Sequence, residues 1–347
     1  MRTPGHIAVI RLSALGDVAM TVPVLRVLRA TYPELKITVI SNRRFQPLFE
    51  TVPEIQFIGA DLKDHHKGVG GLLRLAGEIT DCGADALADL HNVIRSKIVR
   101  TALRSNGLRI AVIDKGRAEK KKLVRSKGES LTKLKSTHQR YADVFAKLGY
   151  PLDLSTHQYP KRPKLGPRLS NLFSQPPRKC VGIAPFAAFP SKMYPKDQMR
   201  ELLEMLNATS RFDIFLFGAG EEEERQMNKL ALGLNGVKNL ANQLTFNEEL
   251  NLMANLDLMV AMDSGNGHLA AMFNVPVITL WGVTHPAAGF TPFNQDEENQ
   301  ILSDRKKYPL IPTSVYGNRY PEGYEQAMES ISAETIISRV KKLLLTA

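Results

Sequence analysis

Asp263, Ser264, Gly265, Gly267 and His268 fall within six positions of one another, between two apolar stretches, in LMVAMDSGNGHLAAMFNVPVITLWGVTHP over 258–286. A carboxylate, a hydroxyl and two glycines at the mouth of a helix suit phosphate: the first amides stay free and the glycines let backbone approach closely. The same residues also serve a plain structural turn in which Asp263 or Ser264 only caps the helix. Two isolated charges have the same kind of setting. Lys192 is a lone cation in the loop 185–195, placed for phosphate or simply for solvent. Asp17 follows Gly16 in the first loop, with no obvious basic neighbour in sequence to pair with, and is free either for chemistry or for helix capping. Asp89, His91 and Asn92 cluster at another loop start, where His91 reads best as a satisfied polar residue of a turn.

These loops need strands and helices to hold them. Residues 258–262 form a short apolar run bounded by polar residues, the pattern of a strand buried on both faces. The rhythm recurs along the chain. Strands are expected over 6–12, 37–41, 56–59, 86–90 and 108–113, with helices over 18–30, 69–80, 93–104 and 138–148. After a Pro-rich stretch the series restarts, with strands at 181–184, 212–217 and 237–240 and helices at 196–207, from 221, at 247–256 and at 333–345. Every candidate residue then lies at the carboxyl end of a strand, where open α/β sheets bind ligands. GxGxxG is absent, which speaks against a nicotinamide enzyme.

Length points to two domains: an N-terminal Rossmann-like domain over 1–155, a linker over 156–179, a second such domain over 180–330 and a C-terminal helix over 331–347. Their strand ends are expected to face each other across a cleft. Cys82 and Cys180 are far apart and match no metal spacing, so no metal site is expected. No apolar run reaches membrane-spanning length and no signal peptide is visible, which fits a cytoplasmic location. The net charge of +11 is concentrated: residues 95–140 hold fifteen Lys/Arg against three acids, a net +12. That density, greatest over 115–135, suits an anionic partner or a solvated mobile loop. Nucleic acid is disfavoured, because neither aromatic stacking stretches nor a helix-turn-helix signal accompanies the charge.

IAVIRLSALGDVAMTVPVLRVLR near the start and AMDSGNGHLAAMFNVPVITLWGVTHP near the end together resemble glycosyltransferase family 9, the ADP-heptose:lipopolysaccharide heptosyltransferases. ADLHNVIRSKIVR, THQRYADVFAKLGYP, PSKMYP and FLFGAGEEEER follow in the family's order. The resemblance implies a GT-B fold, with acceptor on the first lobe and nucleotide-sugar on the second, and inverting transfer without a metal ion. It implies no cofactor beyond the nucleotide-sugar donor, ADP-heptose, as substrate. It further implies that Asp17 is the general base, Asp263 holds sugar hydroxyls, and Ser264, Gly265, Gly267 and His268 cradle the diphosphate. Lys192 pairs with donor phosphate, Glu222 lies near the ribose and Leu244 near the adenine.

On the acceptor side Arg95 and Ser96 match the family's motif, with Asn92 beside them. Lys120, Lys121 and Lys122 are then expected to hold the anionic lipopolysaccharide inner core, with peripheral contact to the inner face of the inner membrane. The loop reads Ser-Gly-Asn-Gly-His where many members have Thr-Gly-Leu-Ser-His, and the stretch 290–324 diverges. The alternatives are a GT-B transferase using another nucleotide-sugar for a surface glycan, and a non-catalytic sugar-nucleotide or nucleic-acid-binding protein.

Overall fold

Apolar runs, buried on both faces in the central strands, form two all-parallel sheets in a computed structural model of the chain, which describes residues 3–345. The backbone divides into two compact units. The first is Met1–Lys115 with Lys135–Pro160, and the second is Gly116–Leu134 with Lys161–Ala347. No helix among the described residues is long and apolar enough to cross a membrane.

The first unit runs β1 (His6–Ile10), α1 (Leu15–Ala19), α2 (Thr21–Thr31), β2 (Lys36–Asn42), β3 (Ile55–Ala60), α3 (Gly68–Asp81), β4 (Ala86–Asp89), α4 (Ile94–Ser105) and β5 (Arg109–Val112). Helix α5 (Arg117–Arg125) belongs to the second unit, and α6 (Thr137–Lys147) returns to the first. Strand order is β3-β2-β1-β4-β5, with Ile7 of β1 opposite both Ile37 and Ala86. Ile10, Leu72, Leu75, Ile79, Val99 and Leu103 pack one face of the sheet. The order reverses between β1 and β4, so the loops after these two strands flank the ligand-binding crevice of a doubly wound sheet. The helix expected over 18–30 is in fact two. Pro23 has no N–H to give the carbonyl of Ala19, so the helix restarts at Thr21 with the proline in its first turn.

The second unit continues with α7 (Pro167–Ser170), β6 (Lys179–Ala184), α8 (Lys196–Ala208), β7 (Phe212–Leu216), α9 (Glu221–Ala231), β8 (Val237–Asn239), α10 (Phe246–Met253), β9 (Leu258–Met262), α11 (Gly265–Ala271), β10 (Val277–Trp281), β11 (Gln300–Leu302) and α12 (Ala333–Leu345). Its order, β11-β10-β9-β6-β7-β8, reverses between β6 and β9. The loops carrying Lys192 and Asp263 follow those two strands.

Three segments differ from the reading of the sequence. The later part of the Pro-rich stretch, read as linker, packs onto the second unit. Ser174 donates from its N–H and its hydroxyl to Asp213 at 2.8 and 2.5 Å, and Phe173 lies edge-on to Phe215. Helix α12 is part of the same core, where Ile336, Ile337 and Val340 pack with Leu202, Leu203 and Leu206. Each such aliphatic contributes about 1.5–3 kcal/mol of burial. Residues 116–134, expected in the first domain, pack with the second: Leu123, Leu131 and Leu134 cluster with Ala287, Ala288 and Phe290. The Leu134 N–H donates to the Ala287 carbonyl at 2.9 Å, and Arg305 Nη2 donates to the Gly128 carbonyl at 2.6 Å. Gly128 sits at φ +81°, and a Cβ there would stand 2.0 Å from the Pro309 oxygen.

Candidate functional site

In the second unit, β9 ends at Met262 and the chain turns at Asp263 into α11. Lys192 Nζ, from the loop after β6, lies 2.9 Å from Asp263 Oδ2, with side chains only 12% and 11% exposed. The same oxygen accepts the Thr284 hydroxyl at 2.9 Å. Thr284 stands beyond the end of the neighbouring β10 and was missed in the sequence, although WGVTHP places it one loop away. Ser264 occupies the N-cap position of α11 in extended conformation, but its side chain makes no cap bond, and its buried oxygen has no partner among the described residues. The capping reading of Asp263 and Ser264 is therefore not what these side chains do. Gly265 opens α11, and Gly267 and His268 are buried in its first turns. A buried cation–carboxylate pair beside uncapped helix amides can exchange partners with a phosphate and with hydroxyls.

Glu222 and Leu244 lie in the same unit, past the carboxyl ends of β7 and β8. Glu222 is exposed in the first turn of α9, paired with Arg225 and accepting from Gln226 Nε2 at 2.5 Å. Acids suit that end of a helix. Leu244 is half-buried in the loop before α10.

In the first unit, the loop after β1 carries Asp17 in the first turn of α1. The sequence offers it no evident basic neighbour, and the structure corrects this: Arg11, six residues earlier, forms an ion pair with Asp17 Oδ2. Arg11 is buried, whereas the Asp17 side chain is 32% exposed. Arg11 Nη1 also donates to the Leu90 carbonyl at 2.8 Å, bridging the two loops of the crevice, and Tyr141 OH donates to the Asp17 carbonyl at 3.2 Å. A half-open carboxylate fixed by a buried guanidinium can take a proton from a hydroxyl.

The loop after β4 is held by Asp89, which is fully buried. It accepts from the N–H groups of His91 and Asn92 at 2.9 and 2.7 Å and from Arg100 at 3.0 Å. Asn92, at φ +46°, donates to the Ile113 carbonyl at 3.2 Å. Ser96 is buried in the first turn of α4, its hydroxyl accepting from the Val93 N–H and donating to the Val93 carbonyl, both at 3.1 Å, while Arg95 is exposed beside it. His91 Nδ1 takes the Leu12 N–H at 3.4 Å. Burial, followed by Arg11, Lys115 and Arg95, pushes its pKa down to about 3, so it is a neutral turn residue.

Lys120, Lys121 and Lys122 do not form one exposed patch. Lys120 is buried on the inner side of α5 with its ammonium 3.9 Å from the Phe290 ring centre, because it lies one turn from Leu123, the helix's apolar anchor. Lys121 and Lys122 are exposed. Elsewhere, His65, His66 and Glu78 form a group with metal-ligand spacing. Its atoms are engaged with one another: His66 Nδ1 accepts the Asp61 N–H at 3.0 Å, which leaves Nε2 to donate to Glu78 at 2.9 Å.

Two doubly wound units with charged loops at their switch points have the architecture of the GT-B glycosyltransferases, and comparison with known proteins agrees. The profile of glycosyltransferase family 9 (heptosyltransferase) matches residues 72–315. Lipopolysaccharide heptosyltransferase 2 of Escherichia coli (strain K12) is 26% identical, over 98% of each chain. Among solved structures, the family 9 glycosyl transferase from Veillonella parvula superposes with TM-score 0.76 at 20% identity, covering 99% of this chain and 98% of that one. E. coli heptosyltransferase WaaC with ADP does so with TM-score 0.70 at 17% identity, covering 97% and 99%. The chain belongs to glycosyltransferase family 9; it is a glycosyltransferase with the GT-B fold.

Proposed function

We propose that this enzyme transfers a heptose from ADP-heptose to the anionic inner core of lipopolysaccharide, with inversion at the anomeric carbon and without a metal ion. The observation that carries the reading is the Lys192–Asp263 pair, buried at the switch point of the second unit beside the uncapped start of α11. A relative of known structure was solved with ADP, which supports an adenine nucleotide.

In this reading the diphosphate takes over Lys192 and the first amides of α11, with Ser264, Gly265, Gly267 and His268 around it. Asp263 turns to the sugar hydroxyls, and Glu222 and Leu244 face ribose and adenine. Asp17 accepts the proton of the acceptor hydroxyl as that oxygen bonds to the anomeric carbon. The bond from that carbon to the diphosphate oxygen breaks, and ADP leaves with its charge offset by Lys192. Asn92, Arg95 and Ser96 serve the acceptor side. The exposed face of α5 attracts the acceptor's phosphates or the anionic cytoplasmic leaflet, placing the enzyme peripherally at the inner membrane.

Calorimetry with ADP, UDP and GDP tests the donor. Preference for ADP, weakened at least tenfold in Lys192→Ala, supports the reading; preference for UDP or GDP replaces it with a transferase for another nucleotide-sugar.

A further inference from the structure

Lys192 reaches Asp263 on a long flexible stem, yet the stem has little room to move. The chain between β11 and α12 returns over it. Gly317, at φ +86°, lies so close that a Cβ there would stand 2.5 Å from Lys192 Cδ and 2.7 Å from Cγ. The turn bearing Gly317 is tied down from both sides. Ser191, fully buried, donates its hydroxyl to the Gly317 carbonyl at 2.5 Å. The Gly317 N–H donates to Ser314 Oγ at 3.0 Å, and that hydroxyl in turn bonds Asn318 Oδ1 at 3.1 Å. On the other side, a Cβ at Gly282 would stand 2.1 Å from the Ser191 oxygen. The lysine loop is thus sandwiched between the end of β10 and the 314–318 turn.

We infer that Gly317 is a positioning residue for the donor diphosphate: its bare Cα is one wall of the channel that aims the Lys192 ammonium. This rests on the reading of Lys192 as a donor-phosphate ligand. A lysine free to rotate loses four torsions on binding phosphate, whereas a clamped one has already lost them. The divergent stretch 290–324 thereby acquires a role on the donor side.

An added methyl at Gly317 meets side-chain carbons of Lys192 first, so the lysine moves and its ammonium leaves the diphosphate site. Gly317→Ala should weaken ADP binding about tenfold, the order expected for losing a charge-assisted bond, and leave adenosine binding unchanged. Gly323→Ala is the control, because Gly323 has φ +81° in the same segment but nothing within 4 Å of where a methyl would stand. It carries the backbone strain without the contact and should leave ADP affinity unaltered. The decisive measurement is Gly317→Ala in the Lys192→Ala background, followed by calorimetry with melting curves for every variant. Loss of the Gly317 effect in that background supports positioning through Lys192. An undiminished effect, or equal losses for Gly317→Ala and Gly323→Ala, overturns it. If Lys192→Ala alone leaves ADP binding intact, it is the donor-site reading that fails; if it weakens binding while Gly317→Ala does not, only the clamp fails.

Discussion

Lys192 and Asp263 come from loops 71 positions apart in the chain, yet their charged ends meet at 2.9 Å because β6 and β9 are neighbours where the strand order reverses. The pair is nearly sealed from solvent, with Thr284 as a further partner of the carboxylate. Its worth to stability lies mainly in mutual compensation, since each charge alone would be stranded in a poorly hydrated place.

Lys192→Met is therefore expected to destabilise the second unit by about 3 kcal/mol, and Asp263→Asn added to it should restore a good part of that loss. Urea denaturation of the two single variants and the double variant checks this. Additive losses would mean that the two groups do not compensate each other.

Asp17→Asn keeps the shape of the side chain and removes its basicity. Turnover should fall by roughly 10²–10⁴-fold while ADP affinity stays within about threefold of wild type. Steady-state kinetics with a lipopolysaccharide core acceptor, alongside calorimetry, separates the two. A parallel collapse of nucleotide binding would place Asp17 outside the chemistry.

His91 couples folding to pH. Its pKa is about 3 in the folded chain, against an ordinary value of 6.5, so the unfolded chain binds the proton first as the medium is acidified. The penalty is absent above about pH 6.5 and grows as pH falls toward 3, reaching about 2 kcal/mol at pH 5. His91→Gln should flatten the stability profile between pH 7 and 5 by that amount, whatever it does to stability at neutral pH. Chemical denaturation at several pH values gives the slope, and an unchanged slope would refute the assignment.

Neighbouring lysines of α5 should behave differently. Lys120→Ala removes an ammonium from over Phe290 and is expected to cost about 1 kcal/mol of stability. Lys121→Glu with Lys122→Glu should leave the melting temperature unaltered. It should lower affinity for anionic vesicles by at least about fivefold per position at low salt, since each reversal removes one positive charge and adds a negative one, fading as salt rises. Vesicle co-sedimentation at two ionic strengths distinguishes a recruiting face from a merely solvated one.

Much of the crevice was legible because its signals are local. An apolar run, then Asp263 with two glycines, then an apolar helix is a complete strand–loop–helix statement within a dozen residues. Pairings that need the chain to turn back were not legible. Arg11 and Asp17 are separated by the end of β1 and a loop whose path no spacing rule specifies, and Thr284 reaches Asp263 only because β10 lies beside β9. The allegiance of α5 was hidden for the same reason. Its charge dominates its composition, while its place is decided by Leu123, Leu131 and Leu134, whose partners lie more than 150 residues further along. The burial of Lys120 was hidden with it, because charge alone does not say which side of a helix meets a ring.

The membership of α5 also bears on how the protein can be cut. The chain enters the second unit at Gly116, leaves it at Leu134 and re-enters at Lys161, so no single break in the backbone separates the units. A fragment ending in the Pro-rich stretch would carry three leucines stripped of their cover, and its complement would lack the helix that shields Ala287, Ala288 and Phe290. Shuffling lobes between relatives would succeed only if residues 116–134 travelled with the C-terminal half, which requires a graft of two pieces rather than one. Inheritance of the two lobes is thereby coupled: a change in one end of the gene has to remain compatible with a surface encoded at the other.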